Sequence, residues 1–169
     1  MIINIILFFI SGLIIGSFLS VIISRIETGE SVVFGRSRCP RCKKKIRNYD
    51  LVPLFSYFIL RGRCRECQQK ISIFYPLIEF VTGLLFVVLY LRFGTVFYSF
   101  NVYLFFAIHL VILSALVVIL FYDSFYYIIP DKITYPILVG VALLSLINIF
   151  SGSDFFVYSP NIIDWLMGV

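Results

Sequence analysis

Two Cys-x-x-Cys pairs, Cys39-Pro-Arg-Cys42 and Cys64-Arg-Glu-Cys67, are separated by the 21 residues Lys43 to Arg63. Each pair can present two thiolates from one tight turn, and two such turns close a tetrahedral zinc site. Arg and Lys flank the cysteines and favour the thiolate. A disulfide pair or plain free thiols are the alternatives, and structural zinc is preferred to both. A redox role is disfavoured because no βαβ pattern surrounds either pair. With every ligand a cysteine, the metal has no open position, and its task is to fold the loop.

The second set of candidates is acidic. The stretch Phe121–Asp131, FYDSFYYIIPD, follows a long apolar run and holds Asp123 and Asp131 among apolar and aromatic residues. Ionisable groups beside hydrocarbon are costly and mark function. In one continuous helix these two would lie about 80° out of register and about two turns apart. They could not share a proton across that distance, and Pro130 works against a continuous helix. Aspartyl proteolysis needs two carboxylates sharing one proton, so a catalytic Asp123 needs its partner from elsewhere. Asp131 suits a helix N-cap, with a supporting role as the alternative. Asp123 is either functional or an interfacial carboxylate in water. His109 and Glu79 sit inside apolar runs and read as packing or hydrogen-bonding groups.

The elements that must position these groups are membrane helices. Of 169 residues 61% are hydrophobic and 14% charged, with a mean hydropathy of +1.03. Soluble domains are nearer half apolar and one-quarter charged. Twelve of the 14 Lys and Arg residues fall between Arg25 and Lys70. Beside membrane spans, such a segment reads as a cytoplasmic loop facing anionic lipid, with no nucleic-acid partner. The expected fold is an all-α polytopic helix bundle with a cytoplasmic four-cysteine zinc-binding loop.

Ile2–Ile23, Ile71–Leu91, Phe100–Tyr122 and Ile133–Phe150 are each long enough to cross the bilayer, given a need for about 20 apolar residues. Gly16, Ser17 and Ser20 are small and let the first span approach a neighbour. Leu51–Leu60 is apolar but too short to span, and is expected to be an interfacial helix or a buried element between the cysteine pairs. Ser151–Pro160 reads as an external loop. Asn161–Val169 reads as the start of a fifth span, so the chain is expected to be cut short. The expected organisation is a first span at 1–23, a cysteine loop at 24–72 and a transmembrane domain at 73–169, incomplete at its C-terminus.

Three stretches together resemble the type IV prepilin peptidases: GSFLSVIISRI (Gly16–Ile26), the cysteine loop with the following span (Ser37–Phe86), and YDSFYYIIPDKITYPILVG (Tyr122–Gly140). The resemblance implies an aspartic endopeptidase of the bacterial inner membrane that cleaves prepilin or pseudopilin leaders after glycine at the cytoplasmic face. It implies N-methylation of the new terminus with S-adenosylmethionine, associated with the cysteine loop, and possible ties to pilus or type II secretion assembly proteins. Asp123 matches the first catalytic aspartate, and Asp131 matches the aspartate of the following Pro-Asp element. Ser20 stands where the family commonly has Asn. The second catalytic aspartate of the family lies in a Gly-x-Gly-Asp motif, and no such motif follows Asp131. Asp154 and Asp164 fall on the expected external side and do not fit that role. By this reading the chain alone is inactive, and the non-enzymatic alternative is a truncated paralogue that binds pilins or assembly partners. A methyltransferase-only remnant is a third reading.

Overall fold

A computed structural model describes residues 2–26, 31, 35–93, 100–127 and 131–151. Among the described residues five α-helices form in order: α1 (Ile2–Ile26), α2 (Phe55–Ile59), α3 (Phe74–Phe93), α4 (Phe100–Tyr126) and α5 (Asp131–Ser151). A short 3-10 turn at Asn48–Leu51 precedes α2. Among the described residues there is no β-strand, only the isolated bridges Arg38–Lys45 and Arg63–Lys70. Three helices, α1, α3 and α4, are long and apolar enough to cross a membrane. In hydrocarbon a helix satisfies its own backbone, so uninterrupted apolar runs take this form.

The chain divides into two compact units, residues 1–130 and 131–169. In the first, α1 packs chiefly on α3, and α4 packs against both. The α1–α3 seam is very close. A Cβ built on Gly16 would lie 2.7 Å from the Glu79 Cα, and one on Gly12 would lie 2.7 Å from the Gly83 Cα. Hydrogen at these positions lets the two backbones meet, and dispersion contacts hold them where hydrophobic exclusion from lipid cannot. Ser20 is buried beside this seam and donates to the Ser17 carbonyl at 2.7 Å. Small residues at 16, 17 and 20 therefore act in helix packing, as the sequence indicated.

At the other end of the seam, Phe8 stacks on Tyr90 with centroids 4.6 Å apart and meets Phe106 edge-on. Asn4 donates its side-chain amide to the Tyr90 hydroxyl at 3.0 Å. The buried side of α4 carries Val117, Val118, Phe121 and Tyr122.

Several helix boundaries differ from those expected. The first helix runs to Ile26 rather than Ile23. The third apolar helix runs to Tyr126 rather than Tyr122, so Asp123 is helical and does not begin the return loop. The second long helix begins at Phe74, and Ile71–Ile73 lead into it in non-helical backbone. Pro76, in its first turn, lacks only an N–H that would have no partner there. Considered alone, the second unit contains α5, which starts at Asp131 and contains Pro136. Residues 152–169, including the expected loop, Asp154, Asp164 and the expected fifth span, lie outside the described residues, as do Glu27 and Glu30.

Candidate metal centre and membrane-boundary carboxylates

The two cysteine pairs fold into the same local structure twice. In the first, the Lys43 N–H donates to the Cys39 carbonyl at 2.9 Å and the Cys39 N–H donates to the Lys44 carbonyl at 3.0 Å. In the second, the Gln68 N–H donates to the Cys64 carbonyl at 2.9 Å and the Cys64 N–H donates to the Gln69 carbonyl at 2.8 Å. Lys43 and Gln68 both take left-handed backbone, at φ 58° and 55°. The bridge at Arg38–Lys45 recurs at Arg63–Lys70. Each feature of the first knuckle recurs at an offset of 25 residues, from Cys39 to Cys64 and from Lys45 to Lys70. The sequence reading found the cysteines but missed this repeat, whose signal is Cys-x-x-Cys-x-x-Lys written twice.

The knuckles face each other. Ligand sulfurs from Cys39, Cys42, Cys64 and Cys67 all lie within 4.8 Å of one another, and the Cys39–Cys67 pair is 3.8 Å apart. A tetrahedral zinc with bonds of about 2.3 Å separates its sulfurs by about 3.8 Å. The four-sulfur set therefore fits such an ion in chemistry and in spacing. None of the four forms a disulfide.

The thiols are not equivalent. Burial opposes ionisation of Cys39, but the Cys42 and Arg41 backbone N–H groups outweigh it and bring that thiol down to about 7. At Cys67 the Gln69 N–H favours the thiolate, but burial and the neighbouring thiols outweigh it and push the group up to about 11. Four sulfurs this close cannot all carry charge without a cation between them.

Ion pairs tie the knuckles together. Lys44 Nζ reaches Glu66 Oε2 at 2.8 Å, Arg47 reaches the other Glu66 oxygen at 3.4 Å, and Arg41 bonds Gln69. Arg65 grips Asp50 with two bonds, Nη2 to Oδ1 at 2.7 Å and Nε to Oδ2 at 3.0 Å. That grip holds the Asp50 carboxyl below the usual carboxylate range, and the Lys44 bond does the same for Glu66. The acidic residues Asp50 and Glu66 thus have structural work inside the loop.

The loop is anchored to the bundle at Glu79, a buried residue of α3. Its Oε2 accepts the Leu54 backbone N–H at 2.8 Å, and it is also hydrogen-bonded to the Ser17 side chain of α1. Leu54 has φ 60° and ψ −54°, a strained reverse turn for a residue with a Cβ. Gly62, at φ 63°, closes the same segment. A Cβ there would also lie 2.9 Å from the Tyr57 hydroxyl.

Asp123 lies in the last turn of α4 and is exposed, whereas its neighbours Phe121 and Tyr122 are buried. Its carbonyl accepts the Tyr127 N–H at 2.8 Å, and Tyr127 has φ 55°. This is the left-handed helix end that glycine normally occupies. Phe125 packs on Phe74 of α3 with centroids 4.4 Å apart, and Tyr126 on Tyr122 at 4.6 Å. These contacts fix the turn that carries Asp123. A cavity of about 120 Å³ is lined by Ser20 and Ser24 of α1, Ser72 and Tyr75, and Phe125 and Tyr126 of α4. Asp131 is exposed at the first residue of α5, in the other unit. The structure thus brings the four cysteines together, and Asp123 and Asp131 fall in units described separately.

Residues 10–93 match the Bacterial Peptidase A24 N-terminal domain. The chain is 43% identical over 136 residues to the prepilin leader peptidase/N-methyltransferase of Myxococcus xanthus, covering 80% of this chain and 38% of that protein. It is 34% identical over 140 residues to the enzyme of that name from Bacillus subtilis, covering 81% and 54%. The one from Neisseria gonorrhoeae is 33% identical over 151 residues, covering 75% and 50%. The chain therefore spans from under two-fifths to just over half of the length of these relatives. No solved structure matches the chain.

Proposed function

Since the chain belongs to the family of prepilin leader peptidases, we propose that it carries the metal-loop part of a membrane-embedded aspartic endopeptidase that processes prepilins. The supporting observation is the A24 N-terminal match over residues 10–93, which takes in the four-cysteine cluster and the α1–α3 seam to which its loop is tied. Cleavage falls after glycine at the cytoplasmic face of the bacterial inner membrane. There the basic leader of a prepilin stays in water, and its apolar stem lies beside the spans.

In this mechanism Asp123 is one of two carboxylates that share a proton, one activating water while the other protonates the departing amine. Residues 1–169 contain no Gly-x-Gly-Asp motif, and the second carboxylate is not assigned to any of them. Zinc, held by Cys39, Cys42, Cys64 and Cys67, folds the loop and takes no part in the chemistry. S-adenosylmethionine is the methyl donor implied by the name of the relatives. The cavity lined by Phe125 and Tyr126, at about 120 Å³, does not fit it, since ligand pockets hold about 300–1,000 Å³. Methyl transfer is therefore not assigned to that cavity.

The test is prepilin cleavage in membranes containing this chain alone, this chain with the C-terminal portion of a relative in trans, and the same pair with Asp123→Asn. Cleavage only in the second case supports the assignment. Cleavage that survives Asp123→Asn removes Asp123 from the mechanism. Prepilin binding without turnover in every case would favour the non-catalytic paralogue.

A further inference from the structure

The loop carries an exposed apolar edge. Phe55 is 65% exposed, Phe58 70% and Ile59 74%, with Leu51 and Val52 also exposed. On its other side α2 is well held. Ser56 is buried and its hydroxyl donates to the Val52 carbonyl at 2.7 Å and to the Tyr49 carbonyl at 3.2 Å. Such an arrangement fixes which side of α2 is presented outward.

Two ties set the level at which that edge sits. Leu54, directly before α2, is bonded to Glu79, five residues inside α3. The Tyr57 hydroxyl, within α2, lies 3.5 Å from the Ile71 carbonyl, three residues before α3 begins. The long apolar helix begins at Phe74, so the ties fall on either side of its start. At 1.5 Å rise per residue, Glu79 lies about 7.5 Å inside the helix start. Interfacial helices bury their apolar faces about 5–10 Å into the headgroup and acyl boundary. Exposed apolar residues continue at the same level on Ile73, Leu77 and Phe80. Arg61 and Arg63, both exposed, follow α2 directly.

We propose that α2 lies in the bilayer interface, with Phe55, Phe58 and Ile59 inserted at the headgroup and acyl boundary and Arg61 and Arg63 resting on anionic headgroups. The partner surface is lipid. Insertion of three apolar side chains, with two cations against anionic lipid, docks the metal loop flat on the membrane. The inference stands on the loop's anchoring and is independent of the catalytic reading.

The test uses the 169-residue chain reconstituted in vesicles of mixed phosphatidylcholine and phosphatidylglycerol. Trp165, the single tryptophan, is replaced by Trp165→Phe, and Phe58→Trp supplies the reporter. Phe55→Trp serves as a second reporter should the first fail to fold. Lipid brominated near the headgroup end of its acyl chains is expected to remove most of the reporter emission, with little loss to aqueous acrylamide. The lipid quenching should shrink in phosphatidylcholine alone. Strong acrylamide quenching would overturn the proposal by placing the edge in water. Protection from both quenchers would overturn it by placing the edge against protein. Equal lipid quenching in both vesicle types would overturn the pairing of Arg61 and Arg63 with anionic headgroups.

Discussion

The Glu79 carboxylate accepts the backbone N–H of Leu54 at 2.8 Å, joining a buried acid of a membrane helix to the strained turn of a polar loop. Glu79 also meets Gly16 of α1 at backbone distance. Loop, α1 and α3 therefore converge on one residue.

Removing that acceptor should free the loop without unfolding the bundle. Glu79→Ala leaves the Leu54 N–H unsatisfied, at a cost of about 1–3 kcal/mol. Glu79→Gln keeps an acceptor oxygen and should cost less. Hydrogen exchange across residues 48–62 reads the difference, and equal protection in wild type and Glu79→Ala would refute the anchor.

Closeness at the α1–α3 seam makes a different prediction. Gly16→Ala forces a Cβ to within 2.7 Å of the Glu79 Cα, where backbone has to move. The expected loss is about 1–3 kcal/mol, visible as a lower Tm in detergent. Gly140→Ala is the control, because nothing lies within 4 Å of the Cβ it would add.

Metal content should fall with acid. Thiolates bind the ion and protons compete for them. Zinc measured per chain is expected to be about one at neutral pH by the four-ligand rule, and to be released as pH falls. Single Cys→Ser variants should each lose metal. Helix content should change little, since the long helices lie outside the loop. Full metal retention in Cys39→Ser would sink the four-sulfur assignment.

The loop's ion pairs have their own pH window. Asp50 and Glu66 both have lowered folded values. Their stabilisation is therefore complete above the ordinary carboxylate range, about 4, and is lost as pH falls through the depressed folded values. Asp50→Asn should remove the part of this acid sensitivity that belongs to the Arg65 grip. Proteolytic protection of the loop between pH 5 and pH 2, set by those ordinary values, measures it. An unchanged profile would show that the grip contributes nothing.

Periodicity and composition made the long helices legible, because an apolar run without polar interruption has one stable backbone form in lipid. The four cysteines were legible from spacing. Helix ends were less so. The apolar run expected to span ends at Tyr122, whereas aromatic contacts through Phe125 and Tyr126 carry the helix another turn. The role of Glu79 was only half visible. An acid inside an apolar run implies a partner, but the partner is a backbone N–H 25 residues earlier, and a backbone donor has no sequence signature. The positive φ at Leu54 is hidden for the same reason, since leucine gives no hint of it.

The doubled knuckle has a further consequence for chain entropy. An ion that joins Cys42 to Cys64 clips the ends of the 21-residue segment Lys43 to Arg63. Once the ends are clipped, the cost of closure depends only weakly on what lies between, about 0.6 kcal/mol for each doubling of length. Closure entropy therefore sets no length for the segment that holds α2, and its length is fixed instead by the Leu54 bond to Glu79 and the Tyr57 contact with Ile71. Metal at the base would join the two stems, while the bundle holds what lies between them.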